Sequence, residues 1–286
     1  MDTEEKRPPV RSSTARSREL GEELRRARHH ARMSAVEAVD AMQWSQGKLS
    51  KLETGSRGTS PWDVGSLLGL YRADKATRER VEAITSQPDT GTLCRLHDGS
   101  PDTLVILAVH EPIARTITTY EPLTVPALAQ TYDYAHALTG RPQAAQARID
   151  RQRQLPRVAT RTMTLYLHEA ALRAAVGSPV VMRDQLLHLT LMCGWTNTRV
   201  RLIPQARGLH AALRNPATML TFHEPYRPLA YVETDAATVI HEDPDILDSY
   251  RHKMRELDRL ALDPDESRTT LARWANVYER QAADEK

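Results

Sequence analysis

The 286-residue chain holds only two cysteines, Cys94 and Cys193, with no CxxC pair and no histidine at ligand spacing. That excludes a disulfide scaffold and a cysteine-built zinc site. Aromatic residues make up 5%, with a single phenylalanine, Phe222, so any core must be built from Leu, Val, Ala and Met. The longest uninterrupted apolar run, 104–109, is six residues, against the roughly 20 needed to cross a bilayer. The amino-terminal stretch carries charges and prolines but no apolar segment of the secretory type. These absences predict a cytoplasmic location and no membrane partner.

What remains is globular in texture, 40% hydrophobic and 27% charged. The net charge of +2 is uninformative, but its distribution is not. Between Arg11 and Arg57 stand ten basic residues against six acidic ones, leaving the rest of the chain near neutral. A basic end on a neutral body points to a polyanionic partner at that end.

Residues 1–16 are polar and rich in Pro and Ser, and they read as a disordered arm. From Ser17 the pattern turns helical, with Leu20, Leu24, Ala27 and Ala31 on one face. Ser34 and Glu37 form a capping box for a second helix with apolar Val36, Val39 and Met42. Ser45 caps a short third helix that buries Leu49 and Leu52, and Gly55 suits its left-handed end. Ser60 and Pro61 open a fourth helix whose apolar side is Trp62, Val64, Leu67, Leu68 and Tyr71. A fifth runs from 74 to 85. Residues 17–86 therefore predict an all-α domain of five helices, and 87–103 a Pro/Gly/Ser/Asp-rich linker. Beyond it, short runs at 104–109, 162–167, 199–203, 218–222, 229–232 and 238–240 read as strands. Helices are expected at 127–139, 142–154, 179–193, 244–261 and 264–283. Residues 104–286 thus predict a mixed α/β domain ending in long helices. The fold class is multidomain, with the five-helix unit ahead of the α/β unit.

The informative segment is 33–55, MSAVEAVDAMQWSQGKLSKLETG. With Leu49 and Leu52 inward, helical geometry sets Gly47, Ser50, Lys51 and Thr54 outward, and Gln46 projects from the helix start. Gln can pair with adenine at two points, and Lys can reach guanine or phosphate. This helix, tight turn and helix resembles the Cro and phage-repressor (XRE) family of helix-turn-helix proteins. The resemblance implies a second helix lying in the major groove of operator DNA, with Gln46, Gly47 and Lys51 at base-reading positions. The candidate DNA-binding set is Ser45, Gln46, Gly47, Lys48, Ser50, Lys51, Thr54 and Arg57. Arg28 and Glu53 match a buried ion pair of that family.

The second domain is similar to the uncharacterised module that follows such a helix-turn-helix in a large group of actinobacterial regulators. The matching stretches are TYEPLTVPALAQTYDY at 119–134, LHEAALR at 167–173, GLH at 208–210, AYVET at 230–234 and the tail at 250–267. Arginine outnumbers lysine 33 to 6, as GC-rich coding produces. In that group a gene for a small companion protein often lies alongside, which implies a small partner protein encoded nearby.

Four His-Glu dipeptides, at 110–111, 168–169, 223–224 and 241–242, raise the question of chemistry. None belongs to an HExxH motif, and there is no GxSxG, P-loop, GxGxxG or EF-hand. The expectation is a protein that is not an enzyme, with no catalytic residues, cofactor or metal. Glu111, Glu121, His168, Glu169, Arg173, His210 and Glu233 are instead candidates for a ligand or partner pocket. The reading is a sequence-specific transcriptional regulator that binds double-stranded operator DNA and whose second domain senses a ligand or docks a partner. The alternative is an antitoxin-like protein that neutralises a small partner, with DNA binding secondary. A homodimer is expected, joined through an apolar stripe of Ile246, Leu247, Met254, Leu257 and Leu260.

Overall fold

A computed structural model describes residues 13–56, 59–88, 90–97, 99–155, 161–224 and 226–285. The chain divides into two compact units. One comprises residues up to 89 with the short segment 224–227, and the other the remainder.

The first unit contains α1 (Ala15–His30), α2 (Ala35–Met42), α3 (Gln46–Glu53), α4 (Pro61–Leu70) and α5 (Lys75–Thr85). Each starts on a side-chain cap, from Thr14, Ser34, Ser45, Ser60 and Asp74 in turn, so local sequence sets every start. The first helix begins at Ala15 rather than Ser17, because Thr14 and Ser17 cap each other reciprocally. Residues 13–16 are therefore not part of an arm, and residues 1–12 lie outside the described residues. Leu20, Leu24, Val39, Leu49, Leu52, Val64, Leu67, Val81 and Ile84 form one core. Trp62 departs from expectation: it is 87% exposed at the start of α4.

Two glycines set how closely α3 can approach α1. A Cβ on Gly21 would lie 2.5 Å from the carbonyl oxygens of Leu52 and Glu53. Gly55 has φ +68°, and its Cβ would meet the Ser17–Arg18 backbone at 2.5 Å. There the Ser56 amide donates to Lys51 O and the Gly55 amide to Leu52 O, the paired bonds of a left-handed helix end.

The second unit is built on a seven-stranded mixed sheet: β1 (Thr92–Leu96), β2 (Thr116–Glu121), β3 (Thr162–His168), β4 (Thr198–Ile203), β5 (Ala217–Thr221), β6 (Leu229–Glu233) and β7 (Ala237–His241). The strand order is β1-β7-β6-β5-β2-β3-β4. Strands β2, β3 and β4 are parallel, and the remaining pairings are antiparallel. Between β2 and β3 run α7 (Tyr132–Thr139) and α8 (Pro142–Arg153). Between β3 and β4 run the short α9 (Ala170–Arg173) and α10 (Pro179–Met192). The unit closes with α11 (Pro244–Leu260) and α12 (Pro264–Asp284).

Three expectations fail for physical reasons. The run 104–109 is not a strand but the core of α6 (Val105–His110), entered through a 3-10 turn at Pro101–Thr103. An unbroken apolar run has no periodicity of its own; burial of Ile106, Leu107 and His110 follows helical spacing. The expected linker contains β1, which pairs with β7 and buries Leu93. Central strand β2 was not expected, although the three threonines among its six residues favour a strand. Most of the α11 stripe expected to join two copies is used within the unit: Leu247 and Leu257 are buried, Met254 and Leu260 are partly buried against the cluster that holds Tyr120 and Tyr166, and Ile246 is half-buried.

Gly21→Ala should lower the melting temperature, because overpacking against backbone costs about 1–3 kcal/mol, more than the roughly 1 kcal/mol an alanine adds to a helix. Gly65→Ala in α4, whose Cβ position is open, should hold or raise it. Paired thermal melts check both.

Candidate nucleic-acid interface and the buried ion network

The turn between α2 and α3 is closed by Gln43, whose φ of 52° lies in the left-handed region. The Trp44 amide returns to Val39 O, and Ser45 Oγ accepts from the Lys48 amide at 3.2 Å. The outward face of α3 follows. Ser45, Gln46, Gly47, Ser50, Lys51 and Thr54 are exposed. The side chains of Gln46, Ser50 and Lys51 make no hydrogen bond to another described residue, while Thr54 Oγ1 donates to Ser50 O at 2.8 Å. Beyond its chain neighbours and its own helix backbone, no atom of the described residues lies within 4 Å of a Cβ built on Gly47.

Lys48 differs from its neighbours. Its ammonium is 2.8 Å from Asp63 Oδ1 and sits 3.7 Å from the centre of the Trp44 ring. It braces α3 against α4 rather than standing free. Arg57 lies outside the described residues.

Behind this face, Arg28 and Glu53 pair at two points, Nε to Oε1 at 2.7 Å and Nη2 to Oε2 at 2.9 Å. Arg28 Nη1 also donates to Met33 O at 3.0 Å, tying the turn after α1 to the end of α3. Both side chains are at most 10% exposed. The bond to Glu53 raises the Arg28 pKa above its ordinary value, against the pull of burial. Glu53→Ala would strand a desolvated guanidinium and should cost about 2–3 kcal/mol. Glu53→Gln, which keeps an acceptor, should cost less. Urea denaturation followed by circular dichroism ranks the two variants.

In the α/β unit the seven pocket candidates separate into three places. Glu111, Glu233 and Glu121 come together at one. Arg151, 4% exposed, donates to Glu111 from Nε at 2.7 Å and Nη2 at 2.6 Å. Its Nη1 donates to Asp102 at 2.8 Å and Glu233 at 3.3 Å, and Nη2 also donates to Tyr231 OH at 2.9 Å. Tyr231 OH in turn donates to Glu111 at 2.6 Å. Arg148, one turn earlier on α8, donates to Asp102 at 2.9 Å and to Gln130 at 2.7 Å. His168, Glu169 and Arg173 gather after β3: Arg173 pairs with Glu169 at 3.0 Å and stands over Trp274, and His168 Nδ1 accepts from the Ala170 amide. His210 stands apart, accepting from the Ala212 amide, with Glu256 4.0 Å away. The His-Glu dipeptides lie at four separate places along the chain, at the ends of α6, β3 and β7 and in the turn after β5. Among the described residues no group of three or more His, Cys, Asp or Glu could hold a metal ion.

The network carries more acid than base, three carboxylates against two guanidiniums, with Glu121 beside it. Burial raises Glu121 to about 8, and the charge of Glu233 adds to the effect while Arg148 and Lys253 oppose it. Burial likewise lowers Lys253 to about 8, with Glu121 opposing. The Glu233 carboxyl is raised, first by burial and then by its acidic neighbours, with Arg151 opposing. Arg151 is pushed down by burial but held well above its ordinary value by Glu111 and the other acids. Sequence reasoning missed Arg148 and Arg151. Their only signal is a three-residue spacing with Ala145 on α8, and nothing in the sequence says which arginines face inward.

An acid whose pKa is raised by folding holds its proton more tightly in the fold. Below about 4.3 it is protonated in both states and adds no penalty; stability falls as the pH rises toward about 8, where folded Glu121 ionises. Lys253 runs the other way, its penalty shrinking as the pH rises above about 8. Glu121→Gln should therefore gain stability relative to wild type between about pH 5 and pH 8. Melts across that range read the gap; one that narrows as the pH rises contradicts the assignment.

The fold and these sites describe a helix-turn-helix unit joined in one chain to an α/β unit built around buried charge. Residues 19–81 match a helix-turn-helix domain, and residues 105–273 match a domain of unknown function, DUF5753. The chain belongs to the DUF5753 family. No curated protein matches it. Among solved structures it is similar to TrmBL2, an archaeal chromatin protein described as showing a novel mode of DNA binding. The identity is 11% over 81% of this chain and 88% of that one, with a TM-score of 0.32. At that score the likeness carries no functional argument. No helix among the described residues is long and apolar enough to cross a membrane.

Proposed function

We propose that this protein is a sequence-specific transcriptional regulator of the XRE type that places α3 in the major groove of operator DNA. The observation that carries the reading is the outward face of α3. Gln46, Ser50 and Lys51 stand exposed and unengaged on a helix whose inward face is locked by Leu49, Leu52 and the Arg28–Glu53 pair. Side chains free to reach bases on a rigid support are what groove recognition needs. Lys48 has the lesser role of positioning the helix, since Asp63 holds its charge. A unit of this size reads one half-site, so two copies bind a paired site. The second domain senses a ligand or docks a partner, and the protein is a binding protein rather than an enzyme.

An operator selected from a random duplex library supplies the test. Gln46→Ala should relax one position of that operator, at about 1–3 kcal/mol. Lys51→Ala should weaken binding and, where its contact is to phosphate, flatten the salt dependence by about one unit of slope. A double variant that binds like wild type contradicts the placement of α3.

A second reading, an antitoxin-like protein that neutralises a small partner, has one observation in its favour. On α10, Leu187 and Leu191 are 45% and 69% exposed, with Trp195 following at the same spacing. Leu191→Glu should abolish capture of a small protein encoded beside this gene while leaving operator affinity intact. Capture unchanged in that variant removes the α10 face from the reading.

A further inference from the structure

A cavity of about 850 Å³ opens in the α/β unit, away from the ion network. It lies between α8, the end of α10 and the first residues of β3 and β4, in the size range of small-molecule sites. The gap inside the network, by contrast, is about 20 Å³ and holds at most one water.

The walls of the larger cavity have a definite chemistry. Leu128, Ile149, Leu155, Met163 and Met192 make it apolar, the two methionines adaptable in shape. Trp195 offers an aromatic edge, and the His188 ring meets it at 84° with centroids 6.2 Å apart. Among the described residues no carboxylate lines it, whereas Arg161 and Arg153 do, the latter also paired with Asp150 at 3.2 Å. Arg161 is spoken for by the carbonyls of Ala114 and Pro112, so it contributes positive potential rather than a free donor. The His188 imidazole and the Thr198 hydroxyl make no hydrogen bond to another described residue. Burial lowers the His188 pKa, so at neutral pH the ring offers one donor and one acceptor without a charge of its own.

We propose that this cavity binds a small aromatic anion, its ring system between Met163, Met192 and Trp195 and its acidic group toward His188, Thr198 and the arginines. The proposal rests on reading the second domain as a sensor, and it names where and what that domain senses. Helix α8 links this site to the rest of the unit. It turns Ile149, Gln152 and Arg153 to the cavity and Arg148 and Arg151 to the ion network, so a ligand pressing on α8 presses on both.

The test is a titration of the full-length protein with anilinonaphthalene sulfonate, read by fluorescence and calorimetry. Saturable binding at one probe per chain is expected. His188→Leu and Thr198→Val should each weaken it at least tenfold, and naphthylmethylammonium, of similar ring size and opposite charge, should bind at least tenfold more weakly than the anion. Leu191→Ser, on the exposed face of α10, should bind like wild type. Should His188→Leu fail to fold by circular dichroism, Trp195→Ala, at a position already 41% exposed, carries the same expectation. Absence of saturable binding, cavity variants that bind as tightly as wild type, equal affinity for the cation, or loss of binding in Leu191→Ser would each overturn the proposal. Operator binding is measured separately. A protein that takes the probe but no DNA keeps the site and loses the regulator, and the converse keeps the regulator and loses the site.

Discussion

The helix that faces outward is eight residues long, two turns, and would not hold its shape alone in water. The proposed reading of DNA depends on what clamps it. Gly21 lets α1 approach the end of α3 until only hydrogen fits between them, and the Arg28–Glu53 pair locks that approach with two charge-assisted bonds. Leu49 and Leu52 add apolar burial on the same side. Because the clamp uses only the inward side chains, the outward ones are left for a partner. The same economy explains Lys48, which is drawn onto Trp44 and Asp63 and so fixes α3 to α4.

The α/β unit is organised by a different constraint, that buried charge must be paired. Arg151 cannot give up its proton inside a protein, so Asp102, Glu111, Glu233 and the Tyr231 hydroxyl converge on it from a 3-10 turn, α6 and β6. Pairing of this kind adds little net stability compared with an apolar core, but it specifies one arrangement of the elements that supply the charges. Burial first, and the charge of neighbouring acids second, raises the pKa values of Glu121 and Glu233. A cavity of about 850 Å³ lies on the other flank of α8, where no described wall residue is acidic. One helix thus separates an anionic cluster from a cavity of the opposite character.

How much of this was legible in the sequence follows from where the information is local. Caps are local, so Ser34, Ser45, Ser60 and the glycine stop at Gly55 located four helix ends from residue type alone. The Arg28–Glu53 pair came through resemblance, and the geometry bears it out. Non-local features were not readable. Strand β1 is a strand because β7 lies beside it, and its five residues sit among turn formers. The 104–109 run carries no period, so burial in the fold decided it. Of the seven pocket candidates, His210 stands alone and His168, Glu169 and Arg173 gather at the end of β3, while Glu111, Glu121 and Glu233 meet at the ion network, because convergence depends on strand order. The arginines that bring those three together look, in the sequence, like solvated residues of a polar helix.

The measurement that bears most directly on the central claim is hydrogen–deuterium exchange of the full chain, alone and bound to an operator selected from random duplex DNA. If α3 enters the groove, peptides spanning Ser45 to Thr54 slow on binding more than any other part of the helical unit, and Gln46→Ala reduces that protection. Protection confined to other helices, with the Ser45–Thr54 peptides exchanging as in the free protein, would contradict the account.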